Sequence, residues 1–327
     1  MSFLKIQNLS VDYKMRRETV YAAKKINIEV SKGEILGLVG ESGSGKSTVG
    51  NAIINLIDEP GKVSGGSIIL DGTDIYENPE NILKLRGKKI GLIFQDPQTS
   101  LNPILTIGEQ LIETIQTHLK LNTEEAKNKA INLLKEVGIK DAEARFNNYP
   151  HQFSGGMRQR VVISLALCCE PELLIADEPT TAIDVTTQAQ VLSLLRKLQQ
   201  EHQTSIIFIT HDLGVIAQLA DDVVVMYLGK VMESGPVDQI FHNPQHPYTR
   251  ALLRSIPTVH TKNRSRLPTI SGSIPHPFQK RSGCPFVARC QEALPQQKCA
   301  NQAPVLKAIN EHQSVSCFLH EEGVNVS

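Results

Sequence analysis

No stretch of this 327-residue sequence is apolar for long enough to cross a membrane as a helix. The longest apolar runs, such as Val161 to Cys169, fall far short of the roughly 18 to 20 residues that a bilayer demands. The first ten residues (MSFLKIQNLS) alternate polar and apolar side chains and lack the continuous apolar run of a secretory signal, which predicts a chain that stays in the cytoplasm. Net charge is lacking too. The 34 Lys and Arg balance 34 Asp and Glu, so the basic footprint of a nucleic-acid binder is missing. There is no internal repeat and no low-complexity tract, and with 40% hydrophobic and 21% charged residues the composition is that of a globular protein. Cysteines number only six. In a reducing compartment they are expected to be free, catalytic or metal-bound instead of disulfide-paired. The length predicts two domains, or one large domain with an appendage, and is enough to bury a core without disulfides or metals.

What is present is an alternation of short β-type runs with longer helical patterns. Leu4, Ile6, Leu9, Val11 and Tyr13, then Ile26, Ile28 and Val30, approach the period of strands with one buried face. The runs Ile35 to Val39, Ile90 to Phe94, Leu173 to Ala176, Ile206 to Ile209 and Val223 to Tyr227 are almost wholly apolar, as strands covered on both faces are. Between them, Ile104, Leu105, Ile107, Leu111, Ile112, Ile115 and Leu119 recur at helical spacing, as do Ala126, Ala130, Leu133, Leu134 and Val137. The fold class predicted is α/β: a largely parallel, mixed sheet core fronted by an antiparallel N-terminal portion. After about Ser255 the composition changes. Prolines recur at Pro257, Pro268, Pro275, Pro277, Pro285 and Pro295, and four cysteines fall between Cys284 and Cys317, which places a boundary near Ile256.

Residues Gly40 to Thr48 read GESGSGKST, directly after the apolar run Ile35 to Val39 and before a helical stretch, Val49 to Ile57. This is a phosphate-binding loop in its required strand–loop–helix setting. Gly40, Gly43 and Gly45 let backbone N–H groups turn inward on a phosphate, with Ser42, Ser44 and Thr48 in the same cradle. Lys46 supplies a point charge to the β and γ oxygens, and Ser47 is the expected Mg²⁺ ligand. Leu173 to Glu178 reads LLIADE, an apolar strand ending in two carboxylates. Asp177 is placed to hold Mg²⁺, directly or through water, and Glu178 to polarise the attacking water. Adjacent strand side chains point to opposite faces, so the pair divides these roles.

Kinases, helicases, GTPases and transport ATPases share those two elements. Phe153 to Met157 reads FSGGM, shortly before the strand that carries Asp177, and here the sequence resembles the ATP-binding cassette (ABC) family, whose signature is LSGGQ. The resemblance implies that Ser154, Gly155 and Gly156 serve the ATP of a partner cassette packed head to tail, and that Asp184, in Thr181 to Asp184 with Ile183 in place of the usual leucine, contacts that partner. It implies that Gln95 contacts Mg²⁺ and relays nucleotide state to membrane subunits. It implies too that His211 contacts the γ-phosphate and steadies the catalytic water, and that Tyr13 stacks on adenine, with Tyr21 the alternative. Phe153 and Met157 depart from the usual signature but spare its serine and glycines.

Three further segments narrow the resemblance: FQDPQTSLNP from Phe94 to Pro103, HPYTRALL from His246 to Leu253, and CPFVARC from Cys284 to Cys290. They look like the ATPases of oligopeptide, dipeptide and nickel importers, over essentially the whole chain. That implies a cassette over residues 1–255 with a helical portion at about 96–168, and a family-specific extension over 256–327. The expected activity is ATP hydrolysis powering import of peptides, with nickel or another small solute as the alternative cargo. Expected partners are two transmembrane permease subunits, a second related ATPase or a second copy of this chain, and an extracytoplasmic substrate-binding protein, with this subunit peripheral on the cytoplasmic face of the membrane. Some relatives carry a [4Fe-4S] cluster on the late cysteines, here Cys284, Cys290, Cys299 and Cys317. A zinc site or unliganded thiols stay open, although no C-x2-C pair supports zinc. Cys168 and Cys169 are expected to be small buried hydrophobes. A non-transport family member acting on nucleic acid or ribosomes is disfavoured. The stretch between Gln95 and Ser154 is too short for coiled-coil arms, and the chain holds one cassette, not two.

Overall fold

The N-terminal apolar residues alternate with a slip between Ile6 and Leu9, and the slip is a β-bulge. In the computed structural model, strand Ser2–Lys14 pairs antiparallel with Gly61–Leu70, and the register shifts between Gln7 and Val11, where Asn8 takes a left-handed φ of 50°. The extra residue re-aims the side chains, so Leu4, Ile6, Leu9 and Val11 are all buried. Strand Thr19–Ser31 flanks Ser2–Lys14 on its other edge and turns Ala23, Ile26, Ile28 and Val30 to the core. The structure describes residues 2–15, 18–180, 184–256, 270–275, 282–293 and 298–321. Thr181, Ala182, Ile183, Pro257, Pro268, Pro277 and Pro295 lie outside the described residues.

Two compact units divide the chain. One comprises Ser2–Val30, Ile35–Thr73 and Thr210–Ser327. In it, strand Ile35–Val39, buried throughout, lies parallel to Asp222–Tyr227, which pairs antiparallel with Lys230–Pro236. Late residues add to that sheet: Ser314–Val315 pairs with Glu233 and Ser234, and Lys307–Ala308 with Ser314–Val315. Glu233 is fully buried, and its carboxylate accepts from Gln245 N (2.6 Å), His246 N (2.9 Å) and Gln313 Nε2 (2.8 Å).

The other unit comprises Ser31–Glu34 and Asp74–Ile209. Here Ile90–Ile93, Leu173–Asp177 and Ser205–Thr210 run parallel side by side. Helices Ile107–His118, Thr123–Glu136 and Gly155–Leu167 pack on one another, and the last also packs on Ile90–Ile93. Ala126, Ala130, Leu133, Leu134 and Val137 are buried as their spacing predicts. Ile104 is not on the buried helix face: it is 79% exposed. The helix begins at Ile107 because Thr106 and Glu109 form a reciprocal capping box that stops it there. Phe94 likewise lies beyond the end of its strand and is half exposed. No helix among the described residues is long and apolar enough to cross a membrane.

Phe208 is fully buried in the central run of Ser205–Thr210. Phe208→Ala is expected to lower unfolding stability by about 3–5 kcal/mol, read from denaturant melts.

Candidate nucleotide site and cysteine pocket

The buried strand Ile35–Val39 ends at Gly40, and the chain wraps into helix Lys46–Ile53. Two glycines make the wrap possible. Gly40 (φ 153°) and Gly45 (φ 98°) lie so close to neighbouring backbone that a Cβ would sit 2.1 Å from the Met226 carbonyl oxygen and 2.2 Å from that of Ala22. Gly45 precedes the first helical residue in a left-handed conformation, and the helix N-terminus that follows presents the positive end of its dipole. Lys46 is buried, its Nζ donating to the carbonyls of Gly40 (2.8 Å) and Glu41 (3.1 Å) and to Ser44 Oγ (3.4 Å). An ammonium held by the rim of its own loop is preset to meet phosphate oxygens. Ser42, Gly43, Ser47 and Thr48 share this loop and first turn.

The flanks of the loop are pinned as well. Gly229 N donates to Ser44 O at 2.8 Å, and Glu41 N donates to the Tyr248 hydroxyl at 3.0 Å across 207 positions of chain. Tyr13 stands opposite Gly61 in the antiparallel pair, and a Cβ on Gly61 would lie 2.6 Å from the tyrosine ring, so that ring lies over the glycine. Tyr21 is half exposed, with Lys24 Nζ 4.9 Å from its ring centroid. His211 is exposed where strand Ser205–Thr210 ends, beside Asp212, whose carboxylate caps helix Leu213–Leu219.

In the other unit, Asp177 ends strand Leu173–Asp177 and Glu178 follows with a left-handed φ of 47°. Glu178 N still bonds Ile209 O at 2.9 Å, so the strain comes at the turn out of the sheet. Gln95 Nε2 donates to Glu178 Oε2 at 3.1 Å. Two residues identified separately in the sequence are thus joined. Ser154 caps helix Gly155–Leu167, its Oγ accepting from Met157 N at 3.4 Å. Asp184 caps helix Val185–His202: its carboxylate accepts from Thr187 N (2.9 Å) and Thr187 Oγ1 (2.7 Å), which holds it below the ordinary carboxylate range. A Cβ on Gly156 would lie 2.7 Å from Thr187 Cγ2, whereas one on Gly155 would meet nothing within 4 Å. The signature turn and the Asp184 cap are therefore packed through Thr187, a residue that sequence reasoning did not single out.

All four late cysteines line one pocket, together with His246, Phe286 and Phe318. Burial pushes the Cys284 thiol up to about 11 and Cys317 up to about 12, with the other facing thiols adding to both. Burial also raises Cys290. These groups stay protonated unless a cation replaces the proton. His246 is fully buried, and burial lowers it to about 3, so its ring is neutral and its Nδ1 accepts from Tyr248 N at 2.9 Å. Cys168 and Cys169 are buried as expected, their sulfurs 3.7 Å apart.

The geometry is that of a P-loop ATPase of the ATP-binding cassette class. The ABC transporter family model matches residues 23–181, and that of the oligopeptide/dipeptide transporter C-terminal region matches residues 232–299. The chain is 46% identical to the oligopeptide transport ATP-binding protein AppD of Bacillus subtilis (strain 168) over 98% of each chain. It is also 46% identical to OppD of the same strain, over 99% of this chain and 90% of that one. Among solved structures, the dimeric post-hydrolysis ATP-binding cassette MJ0796 bound to ADP and Pi matches with a TM-score of 0.64 at 31% identity, over 72% of this chain and 98% of that chain. The chain belongs to the ABC transporter family, among the ATP-binding proteins that carry the oligopeptide/dipeptide transporter C-terminal region.

A methyl group at Gly45 meets the Ala22 carbonyl and a forbidden φ together. Gly45→Ala is expected to weaken binding of a fluorescent ATP analogue by roughly 5- to 150-fold, as about 1–3 kcal/mol of local strain implies.

Proposed function

We propose that this chain hydrolyses ATP to drive peptide import, working as a peripheral subunit on the cytoplasmic face of a membrane transporter. The observation that carries the reading is its likeness to peptide-transport ATP-binding proteins from end to end, the C-terminal region included. The partners proposed are two permease subunits, an extracytoplasmic substrate-binding protein, and a second ATPase, either related or a copy of this chain. The cassette occupies residues 1–255, with its helical portion at about 96–168, and the extension occupies 256–327.

In this reading Gly40, Ser42, Gly43, Ser44, Gly45 and Thr48 cradle the phosphates and Lys46 pairs with their β and γ oxygens. Tyr13 supports the adenine. The Ser47 hydroxyl, the Asp177 carboxylate and the Gln95 amide oxygen are hard donors of the kind Mg²⁺ takes. Bound there, the ion neutralises charge on the phosphates. Glu178 polarises the attacking water, Gln95 holds the Glu178 carboxylate, and His211 steadies the γ-phosphate. Ser154, Gly155, Gly156 and Asp184 face the ATP of the partner cassette.

Glu178→Gln is expected to slow hydrolysis by about 10²–10⁴-fold while ATP binding persists. Full turnover in that variant would remove Glu178 from its role. Membrane pulldowns of the tagged chain are expected to recover permease proteins, and nucleic acid in their place would overturn the transport reading.

The late cysteines are proposed to hold a [4Fe-4S] cluster. Four thiols around one pocket are the right donor set. Among the described residues, the tight trio of metal-type ligand atoms, all within 4.8 Å of one another, is Glu136, Glu201 and His202, not a set of these sulfurs. Four thiolates on a single zinc sit closer than that, roughly 3.8 Å apart. Protein purified without oxygen is expected to carry about four irons per chain with broad visible absorbance. Folded protein purified in this way without iron would eliminate the cluster.

A further inference from the structure

The phosphate loop is held from outside by a residue of the cysteine segment. Glu41, the second residue of the loop, forms a two-pronged ion pair with Arg289: NH1 donates to Oε2 at 2.6 Å and NH2 to Oε1 at 3.0 Å, across 248 positions of chain. The Arg289 side chain is only 4% exposed, and its other donors are also used, Nε on the Ser271 carbonyl (3.1 Å) and NH1 on the Tyr227 hydroxyl (3.3 Å). A planar fork with every bond aligned is the geometry in which a buried pair repays its desolvation. Glu41 is fixed at the main chain as well, its N–H on Tyr248 and its carbonyl under Lys46 Nζ.

The arginine is itself rigidly placed. It directly precedes Cys290, and its N–H bonds the Phe286 carbonyl at 2.9 Å. Phe286 wedges against Tyr227 (5.4 Å between centroids), Tyr248 (5.2 Å) and His246 (6.0 Å). The segment between Cys284 and Cys290 therefore sets where the guanidinium sits. Without that guanidinium, the Glu41 carboxylate would stand unneutralised in the turn that receives a polyanion, and its repulsion would fall on ATP binding, not on the later chemistry.

We propose that Arg289 is a positioning residue for ATP, acting through Glu41 to neutralise and hold the phosphate loop. The inference rests on the reading of Gly40 to Thr48 as the ATP site. The test uses the full chain and measures binding of a fluorescent ATP analogue together with steady-state hydrolysis. Arg289→Ala is expected to weaken binding and raise KM about tenfold with kcat within about twofold, a coupling of ordinary size between sites. Arg289→Lys is expected to recover only part of the loss, because an ammonium lacks the fork. In a Glu41→Gln background, Arg289→Ala is expected to add less than about twofold, since the charge it serves is gone. Unchanged binding in Arg289→Ala, or an equal loss in both backgrounds, would overturn the inference. If Arg289→Ala does not fold, the same cycle with Arg289→Lys decides. Failure of the wild type to bind the analogue, or binding unaffected by Lys46→Ala, would instead overturn the ATP-site reading.

Discussion

The phosphate loop depends on a constraint of space: at Gly40 and Gly45 the backbone passes so close to the carbonyls of Met226 and Ala22 that no side chain fits. That closeness lets strand Ile35–Val39 turn straight into helix Lys46–Ile53, so that the helix dipole and the Lys46 ammonium bear on the same point. The neighbouring strands set the spacing. Met226 belongs to Asp222–Tyr227, parallel to the loop's own strand, and Ala22 belongs to Thr19–Ser31. A site that binds a polyanion is therefore built from main-chain geometry first, and its charged side chain is added to a shape that already exists.

The carboxylate side obeys a different logic. Asp177 completes a regular strand, but Glu178 leaves it with a left-handed backbone that costs energy for any residue with a Cβ. The parallel ladder to Ile209 and the bond from Gln95 offset that cost. Ser154 and Asp184 each serve as helix caps within their own chain. A cap leaves the helix N-terminus ordered, so each helix start draws local stability from its own capping residue.

The C-terminal region reaches back into the ATPase sheet and loop at several points. It contributes strand Ser314–Val315, the buried partner of Glu233 and the arginine that, together with Tyr248 of the cassette, grips Glu41. Polar groups buried at such points are satisfied by specific partners, which makes their identities restrictive. The segments HPYTR and CPFVARC are then explained without reference to cargo. His246 caps the helix that carries Tyr248, and Arg289 lies between a wedge of aromatic rings and Cys290.

Sequence reasoning works wherever one residue type in a short pattern has a local physical meaning. The strand–loop–helix of Gly40 to Thr48, the apolar strands, the LLIADE carboxylates, the helix face of Ala126 to Val137 and the resemblance to peptide importers were all legible from order and spacing. It failed where local rules compete: Ile104 fits a helical period, but the Thr106–Glu109 capping box stops the helix short of it. Only the tertiary structure decided what depends on residues far apart in the chain. The bond from Gln95 to Glu178, the packing of Gly156 on Thr187 and the grip of Arg289 on Glu41 carry no signal in neighbouring positions. Each arises because folding closes loops of tens to hundreds of residues, and the cost of each closure is repaid by burial elsewhere in the molecule.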